Sequence, residues 1–275
     1  MSELKRIIVG HDLRAGGETA LKSAMVLARQ CDAALRLVHV VEPPHLYQKI
    51  SHPFASQYGL EEMAQKAGAR LREAGASEEL ANLRVEYEVH TGKPFVELII
   101  ARRAWQADLI VVGGPSEQHG HFLGSTGERV VRKAMVPVLV AKKTLNANAK
   151  RFLVPTDFSP GARKAAEEAL VLAESFGGSI FFLHVLDLTP LYAYPYEDEI
   201  SGSLAIPPLT PEDIQPDWEG FLATLPLGKI PWENRTEEGY PAKTIVQHAE
   251  AIHADVIVMG THGRSGLEHM LLGSV

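Results

Sequence analysis

One cysteine, Cys31, is all the thiol chemistry this 275-residue sequence holds. That excludes an intramolecular disulfide and any metal site built from several thiolates. Positive charge is also in short supply, with 27 Lys and Arg against 34 Asp and Glu and a formal charge of −7. A general nucleic-acid or anionic-membrane binder needs a basic face, so both classes are disfavoured, although a locally positive pocket can still hold one small anion. Long apolar runs are absent too. "MSELKRIIVGHD" passes from two basic residues into a short apolar strand, too short for a signal h-region or a membrane span, and the expected compartment is the cytoplasm. Familiar catalytic signatures are missing: there is no G-x-x-x-x-G-K-[ST], no G-x-S-x-G and no H-E-x-x-H. "HTGKP" has Gly-Lys without the earlier glycine or the following hydroxyl.

What the sequence does hold is a repeat. "KRIIVGHD" (5–12) returns as "KRFLVPTD" (150–157), and "LVHVV" (37–41) returns as "FLHVL" (182–186), both 145 positions later. "ADLIVVGG" at 107–114 returns as "ADVIVMGT" at 254–261, and Gly124-Ser125 returns as Gly273-Ser274. The small drift in offset is what loop insertions between fixed elements produce. Two homologous domains are expected, about 1–146 and 147–275.

Within each half, apolar runs such as 4–9, 35–41, 109–113 and 136–141 read as strands buried on both faces, hence parallel. Amphipathic segments separate them. "PGARKAAEEALVLAESFGG" begins behind Ser159-Pro160, a cap and a first-turn proline, and ends on Gly177-Gly178. The expected fold is α/β: two tandem doubly wound, five-stranded, Rossmann-like parallel-sheet domains with right-handed crossovers. After Gly124-Ser125 the first half continues "TGERVVRKAMVPVLVAKK", which has no counterpart in the second. As it stands, the second domain is expected to lack its last helix and strand, as a fragment would. From Asp187 to Gly220 six prolines and eight acids occur without Lys or Arg. A solvated connection is the preferred reading there, with a ligand lid as the sharper alternative.

Open α/β sheets bind ligands beyond the carboxyl ends of their strands, where strand order reverses. The loop opening at Gly260 leaves such an end. Glycines there allow positive φ and a close backbone approach, and their amides can form an anion-holding nest. Gly273-Ser274 would begin a helix whose N-terminus attracts phosphate. Across the crevice stands "VPTDFSP", where Asp157 can accept hydrogen bonds from a base or sugar. The constellation describes a nucleotide with its phosphates in the loop.

The spacing Gly260, two residues, Gly263, nine residues, Gly273-Ser274 resembles the universal stress protein family, whose ATP-binding members carry G-x2-G-x9-G-[ST]. The resemblance covers nearly the whole chain as a tandem of two family domains, and includes "VGHD", "VPTD", the "HV" ending each second strand and "VPVLV". It implies ATP, optionally with Mg²⁺, against Pro155, Thr156, Asp157 and Val185. The phosphates would meet Met259, Gly260, His262, Gly263, Gly273, Ser274 and Val275. The first half departs from the motif, with Ser116 in place of the second glycine and a loop two residues shorter. Asp12, Val40, Gly113, Gly124 and Ser125 remain there as weaker candidates.

The resemblance implies a stress or signalling module that binds an adenine nucleotide without rapid hydrolysis. It also implies pairing through the last strands, as an intramolecular pseudo-dimer of the two domains or as a homodimer, and an unspecified regulatory protein partner. The alternatives are an enzyme of the adenine nucleotide α-hydrolase-like group and a scaffold with decayed sites. A nucleotide hydrolase wants a metal-holding acid and a positioned base, and the nearby carboxylates reduce to Asp12 and Asp157. His119 and His121 read as loop residues, because nothing places a third and fourth metal ligand beside them. His39 and His184 read as satisfied structural histidines. Arg264 is either a source of charge at the loop or solvent-facing.

Overall fold

The computed structural model describes residues 4–43, 53–114, 125–187 and 210–261. The chain divides into two compact units, Ser2–Ala147 and Asn148–Val275.

The first unit is a five-stranded parallel sheet in the order β3-β2-β1-β4-β5. Its strands are β1 (Arg6–Gly10), β2 (Ala34–Val41), β3 (Val85–Thr91), β4 (Leu109–Gly113) and β5 (Val138–Ala141). Its helices are α1 (Ala15–Cys31), α2 (Pro53–Ala74), α3 (Pro94–Trp105) and α4 (Ser125–Lys133). Side chains alternate across the sheet. Ile8, Val38, Ile110 and Val112 therefore share one face and pack on Leu98, Ala101 and Val130 of α3 and α4. Ile7 and Val9, equally buried, take the opposite face, and α1 packs against β1 and β4.

The second unit repeats this plan in the order β8-β7-β6-β9, four strands among the described residues. They are β6 (Arg151–Pro155), β7 (Ser179–Leu186), β8 (Trp232–Glu238) and β9 (Val256–Ile257). Its helices are α5 (Pro160–Phe176), α6 (Gln215–Ala223) and α7 (Pro241–Ala251). Prolines occupy the first turns of α3, α5 and α7, where their missing amide costs nothing. Gly177 closes α5 in the left-handed region, φ 58°.

The repeated Ala-Asp pair has a structural role. Asp108 Oδ2 accepts from the amides of Lys5 and Arg6 at 2.9 and 2.8 Å, pinning the start of β1 to the start of β4. Asp255 does the same for Lys150 and Arg151 at 2.8 and 3.0 Å.

The reading of Asp187–Gly220 as a solvated connection is corrected at its far end. A capping box at Thr210 and Asp213 starts a 3₁₀ turn, Pro211–Ile214, that runs into α6. Trp218 of that helix is only 3% exposed. Its indole N–H donates to Thr236 Oγ1 at 2.9 Å, which is how a buried tryptophan satisfies its polar atom. Residues 188–209 lie outside the described residues.

Candidate nucleotide site

Strand order reverses between β1 and β4 in the first unit and between β6 and β9 in the second. In the second unit Phe152 pairs with Val256 and Leu153 with Ile257, so Pro155–Asp157 and Met259–Gly260 leave the sheet side by side. Pro155 and Thr156 are buried, while Met259 is half exposed at the rim. Thr156 is held from two sides. Its Oγ1 accepts from the Phe158 amide at 2.9 Å, and its carbonyl accepts from His184 Nδ1 at 2.8 Å. His184 and its counterpart His39, whose Nδ1 lies 2.7 Å from the His11 carbonyl, thus tie the end of the second strand to the turn after the first. Val185 faces the other way and packs on the core formed by Leu153, Leu183 and Ile245.

Asp157 and Asp12 stand at equivalent positions with different duties. Asp157 Oδ1 accepts from the Ser159 amide at 3.1 Å, and Ser159 Oγ caps α5 by accepting from Ala162 at 3.2 Å. In the first unit Arg14 replaces that serine and gives α1 no side-chain cap. Asp12 fills the gap: its Oδ1 accepts from both Arg14 and Gly17 amides at 2.9 Å.

The first glycine of each loop is explained by packing. A Cβ on Gly113 would fall 2.3 Å from the Gly16 carbonyl oxygen, and one on Gly260 would lie 3.0 Å from the Gly161 carbonyl. Neither glycine adopts a positive φ, so of the two freedoms a glycine offers the one used here is close backbone approach. Here the glycine brings the strand end onto the first turn of the neighbouring helix. Ser125 is the first residue of α4, matching its expected place. Gly124, His119 and His121 in the first unit lie outside the described residues, as do His262, Gly263, Arg264, Gly273, Ser274 and Val275 in the second. Val40 packs on the face covered by α3 and α4. No group of three or more metal-ligating side chains occurs among the described residues.

Three features of this region were not singled out from sequence. His11, at the position of Thr156, is 2% exposed, and its Nδ1 accepts from the Leu13 amide at 3.0 Å just as Thr156 Oγ1 does from Phe158. Among the described residues its Nε2 has no close hydrogen-bond partner, and its nearest carboxylate is Glu18, with Oε1 3.4 Å away. Burial holds the His11 pKa below its ordinary value, against the opposing pull of the Glu18 and Asp12 carboxylates. Leu13 and Phe158 both adopt left-handed backbone, φ 59° and 62°. Two cavities flank Leu13, of about 390 and about 240 Å³. The offset of 145 that aligns the two strand starts also aligns these residue pairs, and was the available signal.

The universal stress protein family model matches residues 3–142 and again 148–275. A universal stress protein from Methanocaldococcus jannaschii is 36% identical over 130 residues, covering 46% of this chain and 72% of that protein. One from Mycolicibacterium smegmatis is 28% identical over 285 residues, covering 98% of this chain and 91% of its own length. The solved structure of a universal stress protein from Archaeoglobus fulgidus shares the fold, with a TM-score of 0.63, 21% identity and coverage of 93% of this chain and 86% of that one. No helix among the described residues is long and apolar enough to cross a membrane. With its domain model matched twice in succession by halves that fold alike, the chain belongs to the universal stress protein family as a tandem member.

Proposed function

We propose that the protein is an ATP-binding stress-response module whose principal nucleotide site is the crevice of the second unit. The observation that carries this reading is the juxtaposition at the β6/β9 reversal of Thr156, Asp157 and Gly260. Ser159 caps α5 there by accepting from the Ala162 amide, and Asp157, which accepts from the Ser159 amide, is the acid we assign to the base or sugar. The loop that begins at Gly260 starts over the α5 N-terminus, where the helix dipole favours phosphate. In the first unit the equivalent acid is committed to capping, which ranks that site lower.

The role is binding without rapid turnover, in the cytoplasm, with the bound nucleotide biasing a surface for a protein partner and with pairing through the last strands. Mg²⁺ is an optional companion of the phosphates.

Thermal unfolding with ATP, ADP and AMP tests the reading on the full chain. ATP at roughly a hundred times its Kd stabilises the binding unit by about 2.7 kcal/mol through mass action. Asp157→Asn keeps the acceptor for the Ser159 amide while removing the charge, and weakens ATP binding about tenfold. Gly263→Val weakens it through the phosphate loop. Absence of any stabilisation by all three nucleotides defeats the proposal.

A further inference from the structure

We propose that His90 is an acid-closed clasp in the first unit. Its ring, set between Glu88 and Glu97, ties the start of α3 to the edge strand β3 more firmly as the pH falls from neutrality into the mildly acidic range.

Glu86, Glu88 and His90 alternate along β3, in register with Arg36, Val38 and Val40 of β2, and so share the face that α3 covers. His90 Nδ1 lies 3.2 Å from Glu97 Oε2, on α3, and Nε2 lies 3.1 Å from Glu88 Oε2. A neutral imidazole has one N–H and one lone pair. It can donate to only one of these carboxylates and turns its lone pair toward the other. The imidazolium donates from both nitrogens and satisfies both. One proton therefore decides whether both contacts hold.

The local charge also suits a cation there. Facing His90 are Glu86 and Glu88 on its own strand, Arg36 from β2 and Glu97 from α3, while Lys93 is the N-cap residue of that helix. Arg36 pairs through Nη1 with Glu88 Oε1 at 2.6 Å and through Nε with Glu86 Oε2 at 2.9 Å. Its guanidinium lies 4.5 Å over the Trp105 ring. One guanidinium thus serves a row of three carboxylates, and a proton on His90 offsets the excess. The side chains of Glu97, His90 and Glu88 are 20, 24 and 32% exposed, so solvent and salt screen them less than an open surface pair.

The turn between β3 and α3 is built around the Glu97 carboxylate. Gly92 adopts φ 152°, and a Cβ there would sit 2.6 Å from Glu97 Oε1. The second unit ties the same two elements with the roles exchanged. Glu237 of β8 meets Nδ1 of His248, on α7, at 2.9 Å and also holds Arg235 Nε at 3.2 Å. That contact engages one ring nitrogen, which a neutral ring protonated at Nδ1 supplies as well. The need for two donors distinguishes the clasp of the first unit.

The clasp is independent of nucleotide binding and is tested on the full chain without ligand. Hydrogen–deuterium exchange of α3 is measured at about pH 7.5 and about pH 5.5, corrected for the intrinsic pH dependence of exchange. On acidification, protection of α3 is expected to rise about threefold more in the wild type than in His90→Gln, the scale of a partly screened ion pair. Glu97→Gln loses the same increment, because a neutral amide no longer favours the imidazolium. A His90→Gln protein whose α3 responds to pH as the wild type does overturns the proposal, and so does a Glu97→Gln protein that keeps the wild-type response. If His90→Gln fails to fold by circular dichroism, the Glu97→Gln protein alone decides.

Discussion

Asp12 and Gly17 form a capping pair that only a glycine permits. The carboxylate oxygen accepts the Gly17 amide at 2.9 Å, and a Cβ on residue 17 would sit 2.7 Å from that same oxygen. In the second unit the cap is Ser159, placed at the N-cap position itself, and the residue equivalent to Gly17 is Ala162. The two solutions satisfy the same exposed amides of a helix start, one from five residues away and one from three.

Gly17→Ala is therefore expected to destabilise the first unit by about 1–3 kcal/mol through overpacking, despite alanine's better helix propensity. Ala162→Gly costs the second unit about 0.5–1 kcal/mol, the ordinary penalty of a helical glycine. Urea unfolding of each variant measures both. A Gly17→Ala protein as stable as wild type would disprove the capping account.

Close packing at the loop starts makes a second, graded prediction. Gly113→Ala would place its Cβ 2.3 Å from a backbone oxygen, against 3.0 Å for Gly260→Ala. Backbone cannot move aside as a side chain can, so Gly113→Ala should cost about 2–3 kcal/mol and Gly260→Ala clearly less. The order of the two denaturation midpoints is the readout.

His11 predicts a pH dependence with a definite sign. Burial lowers its folded pKa beneath the ordinary 6.5, so below that value the unfolded chain binds more protons. Its contribution is complete above pH 6.5 and is lost as the pH falls from there toward the folded pKa. Thr156 shows that threonine makes the same local hydrogen bond. His11→Thr should narrow the stability difference between about pH 8 and about pH 5.5. An unchanged difference in urea midpoint would refute the assignment.

The aromatic cluster of the second unit carries the last prediction. Trp218 contacts the rings of Phe158 and Phe221 and is 3% exposed. Trp218→Ala should remove about 3–5 kcal/mol from that unit. Trp218→Phe should recover part of the loss but not the hydrogen bond to Thr236. Calorimetry separates the two variants.

The legible parts of the sequence were those where one local signal suffices. Continuous apolar runs located β1, β2, β4 and β5, because strands buried on both faces need no alternation. The third strands were not located, since "VEYEVHT" and "WENRTEE" are edge strands with little buried surface and a polar pattern. Helix α6 was read as part of a solvated connection because its acids and prolines outweighed Trp218, whose burial depends on Phe158 across a gap of sixty residues.

The site divides the same way. By itself the sequence determined that two α/β units follow one another, because repeats and apolar periodicity are properties of the chain. Only the tertiary structure decided which acid caps its helix, why Gly113 and Gly260 admit no side chain, and that Phe158, Trp218 and Phe221 gather into one ring cluster in the second unit. Those outcomes turn on distances of two to six ångströms between residues remote in sequence, and such distances are set by packing alone.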